Sequence, residues 1–87
     1  MATIKTVNSF PDFKIQLVTS FPDICVYLTD RESDAKGSDT IWYFTNAFPD
    51  KKIQLVDSFP DLKVQYVKSK FEAGWKNSSH KLRNKIG

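Results

Sequence analysis

Few residues in this 87-residue chain have the chemistry to act on a substrate. His80 is the one histidine. A catalytic imidazole needs an orienting or reacting partner. His80 instead sits among Lys76, Lys81 and Arg83, with Glu72 the nearest carboxylate in sequence. It reads as a surface or tail contact whose protonation would add to local positive charge. Cys25 is the one cysteine and lies between Ile24 and Val26. Alternation points it the same way as Lys14, Lys52 and Lys63, whose charges could lower a thiol pKa. No His or Asn stands at a recognisable nucleophile spacing from it. Cys25 is therefore expected to be an unreactive small residue, partly exposed, or buried if a neighbouring coil covers its face.

The carboxylates are more regular than reactive. Asp30-Arg31-Glu32-Ser33-Asp34-Ala35-Lys36-Gly37 has the look of a calcium loop. Its Gly falls at the eighth rather than the sixth position, and the bidentate Glu at the twelfth is missing. Asp12, Asp23, Asp50 and Asp61 recur in one local context, whereas paired catalytic carboxylates sit in unlike environments. They are expected to serve turns. There is no Gly-rich phosphate loop and no Ser/His/Asp set. The sequence thus predicts no catalytic, cofactor-binding or metal-binding residue, and a protein that is not an enzyme.

Charge supplies one binding candidate. Residues 1–67 hold seven Lys/Arg against nine Asp/Glu, while residues 68–87 hold six against one, so the whole basic excess lies in the tail. Lys76, His80, Lys81, Arg83 and Lys85 are the candidate contacts for an acidic partner or nucleic acid. A solvated terminus that aids solubility is the plainer alternative. Trp75, beside this segment, could serve as a stacking platform, but is expected to plug the last coil. Trp42 and Tyr43 are read the same way.

The elements that must position these residues come from a repeat. Phe-Pro-Asp occurs at Phe10-Pro11-Asp12, Phe21-Pro22-Asp23, Phe48-Pro49-Asp50 and Phe59-Pro60-Asp61, twice at a spacing of 11. Ser precedes three copies and Ala47 the fourth. Each copy is followed by apolar alternation of period two, as in Phe13-Lys14-Ile15-Gln16-Leu17, which argues for strands. The inward set would be Phe13, Ile15, Leu17, Ile24, Val26, Leu28, Ile53, Leu55, Leu62, Val64 and Tyr66. Proline every 11 residues would break any helix. At each corner Pro holds the preceding Phe extended, the Phe plugs the core, and the Asp accepts from nearby backbone N–H groups. Val18, Val56 and Val67 shift the alternation by one, marking a bulge or the onset of a corner.

A link of about six residues is too short for a parallel crossover in one sheet. Each repeat is therefore expected to supply half a coil, with residues 7–28 making one coil and 45–66 another. The predicted organisation is a single domain, 1–87, with repeats at 7–17, 18–28, 45–55 and 56–66. An acidic loop spans 29–40, a further strand covers Ile41-Trp42-Tyr43-Phe44, and a degenerate closing repeat with a basic tail spans 67–87. The fold class is mainly β: wound coils of five or six short strands with a short basic C-terminal segment.

The chain also resembles the septoil-knot family of small bacterial and phage proteins. The resemblance rests on the Val-x-Ser corners and Lys-Ile/Val-x-Leu/Tyr-Val strands. It rests too on Ala35-Lys36-Gly37 with Ile41-Trp42-Tyr43-Phe44. Its most specific part is Ala73-Gly74-Trp75-Lys76-Asn77, running on to His80-Lys81-Leu82. It covers about residues 4–83. Phe-Pro-Asp corners occur in only part of the family. The resemblance implies a β-rich domain with a deeply knotted backbone, a seven-crossing torus knot, and implies no activity. A threaded chain would unfold slowly, giving kinetic stability.

The functional expectation is a compact, non-enzymatic protein-interaction module, phage- or mobile-element-encoded, with nucleic-acid binding through the basic segment as the alternative. No segment approaches the ~18 apolar residues of a membrane span, and the N-terminus lacks a secretory apolar run. A cytoplasmic monomer with no cofactor is expected.

Overall fold

The computed structural model describes residues 3–35 and 38–86. The strands are β1 (Thr3–Thr6), β2 (Phe13–Leu17), β3 (Ile24–Leu28), β4 (Ile41–Phe44), β5 (Lys51–Leu55), β6 (Leu62–Val67) and β7 (Gly74–Trp75); β2 to β6 fall where the sequence places strands, whereas β1 and β7 lie outside the five or six expected. Single 3-10 turns occupy Glu32–Ala35 and Lys70–Glu72. The readings that fall on Met1, Ala2, Lys36, Gly37 and Gly87 lie outside the described residues.

Six strands, all parallel, close into a barrel in the order β4-β1-β5-β2-β6-β3, with β3 returning to β4. β7 lies antiparallel to β3 at Ile24 and Cys25, beside the stretch where β3 has not yet met β4. The expectation that a six-residue link forbids parallel strands in one sheet is corrected here. It holds for adjacent strands, and strands joined by a corner are not adjacent: each corner skips one strand of the other half. Each repeat also advances two of six places, a third of a circuit rather than half. Three strands, not two, complete a coil.

A steep stagger makes the short corners possible. Ile4 lies opposite Lys51, Phe13 opposite Ile53, Ile15 opposite Leu62, and Ile24 opposite Val64. The core residue of each strand is therefore displaced by two residues from the core residue of its neighbour. Two residues at ~3.3 Å against ~4.8 Å between strands tilts the strands by about 55°, beyond the 35–45° of most barrels. Leu17 at the end of β2 and Ile24 at the start of β3 both lie beside Val64, so the corner has only to step across β6.

This stagger brings one residue per strand to the same level. Ile4, Ile53, Ile15, Val64, Val26 and Trp42 form a ring with none of its surface exposed. Phe13, Ile24 and Leu62 continue the core toward the strand N-termini. The other inward candidates do not join it. Leu17, Leu28, Leu55 and Tyr66 stand two residues past the buried ring and are 36–51% exposed. Alternation reports the face of a strand, not whether a barrel end is covered. Val18 and Val56 keep one ladder bond each, to Val64 and Ile15 carbonyls, so the slip there is the onset of the corner.

Candidate functional site

Each corner is pinned to the strand it skips. The Asp12 backbone N–H donates to the Lys52 carbonyl, and the Lys52 N–H donates back to the Asp12 carboxylate, both at 2.7 Å. Asp23 with Lys63 and Asp61 with Lys14 repeat this reciprocal pair at 2.9 Å. At the fourth corner the Asp50 N–H donates to both the carbonyl and the hydroxyl of Thr3. The N–H donors are those of a strand 40 or 47 residues away, not the local ones anticipated from sequence. Gln54, facing outward from β5, donates to the Asn8 carbonyl, and Gln16 of β2 donates to the Asp57 carbonyl. Corner 7–12 thus lies over β5 and corner 56–61 over β2.

The phenylalanines do the opposite of plugging the core. Phe10, Phe21, Phe48 and Phe59 are 91–96% exposed. They are not extended either: their φ angles are 52–54°, in the left-handed region. The Pro that follows fixes its own φ and disfavours the right-handed helical region for the Phe. The tight reversal over the skipped strand then takes the left-handed alternative, which turns the side chain outward. Phe71, at the last corner, is 99% exposed. In barrel order the corners cross β1, β5, β2, β6 and β3, so Phe48, Phe10, Phe59, Phe21 and Phe71 follow one another around the rim. Sequence reasoning found these residues but not their exposure. The available signal was that Phe precedes Pro in each corner, off the period-two pattern of the strands.

The basic segment is docked, not solvated. Ile86 is 1% exposed and joins the core cluster, with Leu82 and Trp75 packed against it. The Asp39 carboxylate accepts from Trp75 Nε1 (3.2 Å), from the Ile86 N–H (3.1 Å) and from the Asn84 N–H. Nothing in the sequence marks Asp39 as the residue that receives the tail. His80 stacks on Trp75 with ring centroids 5.7 Å apart, so one face of the indole is occupied. Its Nδ1 accepts from the Leu82 N–H, which puts the proton on Nε2, 2.9 Å from the Asp61 carbonyl. The Asp23 carboxylate lies 3.7 Å from that nitrogen, a partner invisible in sequence. Lys76, Lys81, Arg83 and Lys85 remain exposed.

Cys25 is buried, 4% exposed, where β7 pairs beside it and the last corner, with its 70–72 turn, packs against β3. A cavity of about 370 Å³ beside it is lined by Phe71, Glu72, Trp75 and Lys76 among others. Asp34 accepts from the Thr29 hydroxyl (3.0 Å) and pairs with Lys70 (3.4 Å), tying the 29–40 loop to the last corner. The Thr29 bond, helped by Lys70, holds the Asp34 carboxyl below its usual range. Among the described residues no three His, Cys, Asp or Glu side chains gather as a metal site, and no helix is long and apolar enough to cross a membrane.

The architecture is that of a repeat-wound, closed parallel β-barrel whose corners overlay the strands of its other half. The family model described as the 7(1) septoil knot domain matches residues 1–76, and the chain belongs to that family. A search of curated proteins finds no match. The tail residues that reach Asp39, including Ile86, lie beyond the matched region.

Proposed function

We propose that the backbone is tied in the seven-crossing torus knot for which the family is described, and that the molecule is a non-enzymatic protein-interaction module presenting its rim phenylalanines. The knot is supported by the alternation of overlays. Corners of the first half cross β5 and β6 of the second, and later corners cross β1, β2 and β3 of the first. Such a chain comes apart only by sliding an end through several loops, which makes unfolding slow.

The observation that carries the interaction reading is the four phenylalanines held at left-handed φ and almost fully exposed. A bulky L-residue there is strained by about 1–2 kcal/mol. Neither folding nor solubility rewards that arrangement, whereas a partner with apolar pockets for aromatic anchors does. The partner is a protein, met in the cytoplasm of a bacterium, whether the chain is encoded by that bacterium or by a phage. Pull-down from host lysate, with the wild-type chain against one carrying Phe10→Ser, Phe21→Ser, Phe48→Ser and Phe59→Ser, tests this. A stoichiometric partner retained by the first and lost from the second is expected. Equal recovery by both overturns the reading.

A further inference from the structure

We propose that the cavity at the last corner is a nucleotide-binding site, in which a base lies against Phe71 and Trp75 and its phosphate meets the cations of the basic segment. The cavity, about 370 Å³, is lined by Gln65, Phe71, Glu72, Gly74, Trp75 and Lys76 among others. Small-molecule sites span ~300–1,000 Å³, and the low end of that range suits one nucleotide.

Two departures from the repeat mark this place. Gln16 and Gln54 hold the fourth position of their strands, and each donates to a carbonyl of the corner that overlies it. Gln65 holds the same position in β6. Among the described residues its amide makes no such bond, and it lines the cavity instead. Its donor and acceptor are left to read a base edge. The second departure is Gly74. Glycine within a strand marks a bulge, a tight bend, or the close approach of a backbone or a ligand. β7 keeps register, with Gly74 opposite Cys25 and Trp75 opposite Ile24, so there is no bulge. The φ of Gly74 is not left-handed, and a Cβ there would meet nothing within 4 Å. The chain itself has no need of this glycine, whereas a ligand filling that open space does.

The lining selects the class of ligand. Phe71 is 99% exposed and offers its ring. It is unstrained, unlike the four phenylalanines that precede proline, so the site does not rest on the partner reading. Trp75 is fixed in place, since His80 stacks on one face of the indole and Asp39 accepts from its Nε1. Aromatic side chains of this kind stack any base. Glu72 can accept from an exocyclic amino group. Lys76 lines the cavity and Lys68 and Lys70 sit on the corner, three cations against one Glu in residues 68–76. A second cavity, about 410 Å³ between β1 and β4, has Lys5 as its single cation among the described residues. It belongs to residues 1–67, where Asp/Glu outnumber Lys/Arg by nine to seven. An anionic ligand is therefore drawn to the first cavity.

Titration of the full chain with AMP, CMP, GMP and UMP, and separately with a single-stranded RNA octamer, tests this by amide and indole N–H shifts. Half-saturation below ~1 mM is expected, with shifts at Gln65, Gly74 and Trp75. Equal affinity for mononucleotide and octamer identifies a free nucleotide as the ligand. Tighter, salt-sensitive octamer binding identifies a strand. Phe71→Ala should weaken binding at least about fivefold, the lower end of stacking losses. Gly74→Leu, which fills the open space, should do the same, and Phe48→Ser should change nothing. Phe71 is exposed, so its variant supplies the readout if Gly74→Leu fails to fold. No saturation below ~1 mM, binding unchanged by Phe71→Ala, or shifts confined to residues 81–85 or to the Lys5 cavity overturn the proposal.

Discussion

Phe59 carries two opposed predictions, because its conformation serves no contact within the chain. Phe59→Asn places a residue that tolerates left-handed φ at 54°. Urea unfolding should show a gain of about 0.5–1 kcal/mol from relieved strain, while partner capture falls. A loss of stability would mean that the aromatic ring packs after all. Asp12→Ala should cost about 1 kcal/mol, the value of one net hydrogen bond, by freeing the Lys52 N–H. Tyr66 titrates in the other direction from the acids: burial raises its hydroxyl above the ordinary 10.0. The unfolded chain therefore ionises first. The contribution is fully present below pH 10 and is lost as pH rises through the folded value. Tyr66→Phe should abolish that alkaline part of the loss, read as the urea midpoint at pH 9 and pH 11. At this scale the sequence was legible for identity and less so for environment. Period two put Leu17 and Leu55 on the core face, but nothing local says that the barrel end there stays open.

The strands were the most legible elements, since Phe13–Leu17 and Ile24–Leu28 follow directly from alternation bounded by corner prolines. Their pairing was not. Adjacent repeats look alike, so local pattern cannot report that β2 and β3 each lie against β6 of the other half. That information sits in bonds between residues 40 or 47 apart, such as those from Lys63 and Lys14 to corner aspartates. The C-terminal segment read as a polar tail because Leu82 and Ile86 are its only aliphatics, and two residues make no period. Its anchoring nonetheless predicts a large effect. Ile86→Ala should destabilise the fold by about 2–4 kcal/mol in urea unfolding, as for a core aliphatic. Lys85→Ala, on an exposed neighbour, should change little.

For the whole molecule, the proposed knot would explain how so small a chain stays folded without a disulfide. Every internal strand is paired on both sides, which removes the edges that invite association, and each half is overlaid by corners of the other. A chain locked in this way should unfold far more slowly than its equilibrium stability implies. Manual-mixing denaturation should give an unfolding rate, extrapolated to water, below the ~10⁻⁵ s⁻¹ of slow unknotted domains. Pulling the unfolded chain by its two ends in an optical trap addresses the winding itself. An unknotted 87-residue chain extends to its full contour, about 3.3–3.6 Å per residue. A knotted one stops short by the length trapped in the tightened knot, and repeated relaxation leaves that shortfall in place. Full extension on the first pull would contradict the knot and, with it, the source of order proposed for this fold.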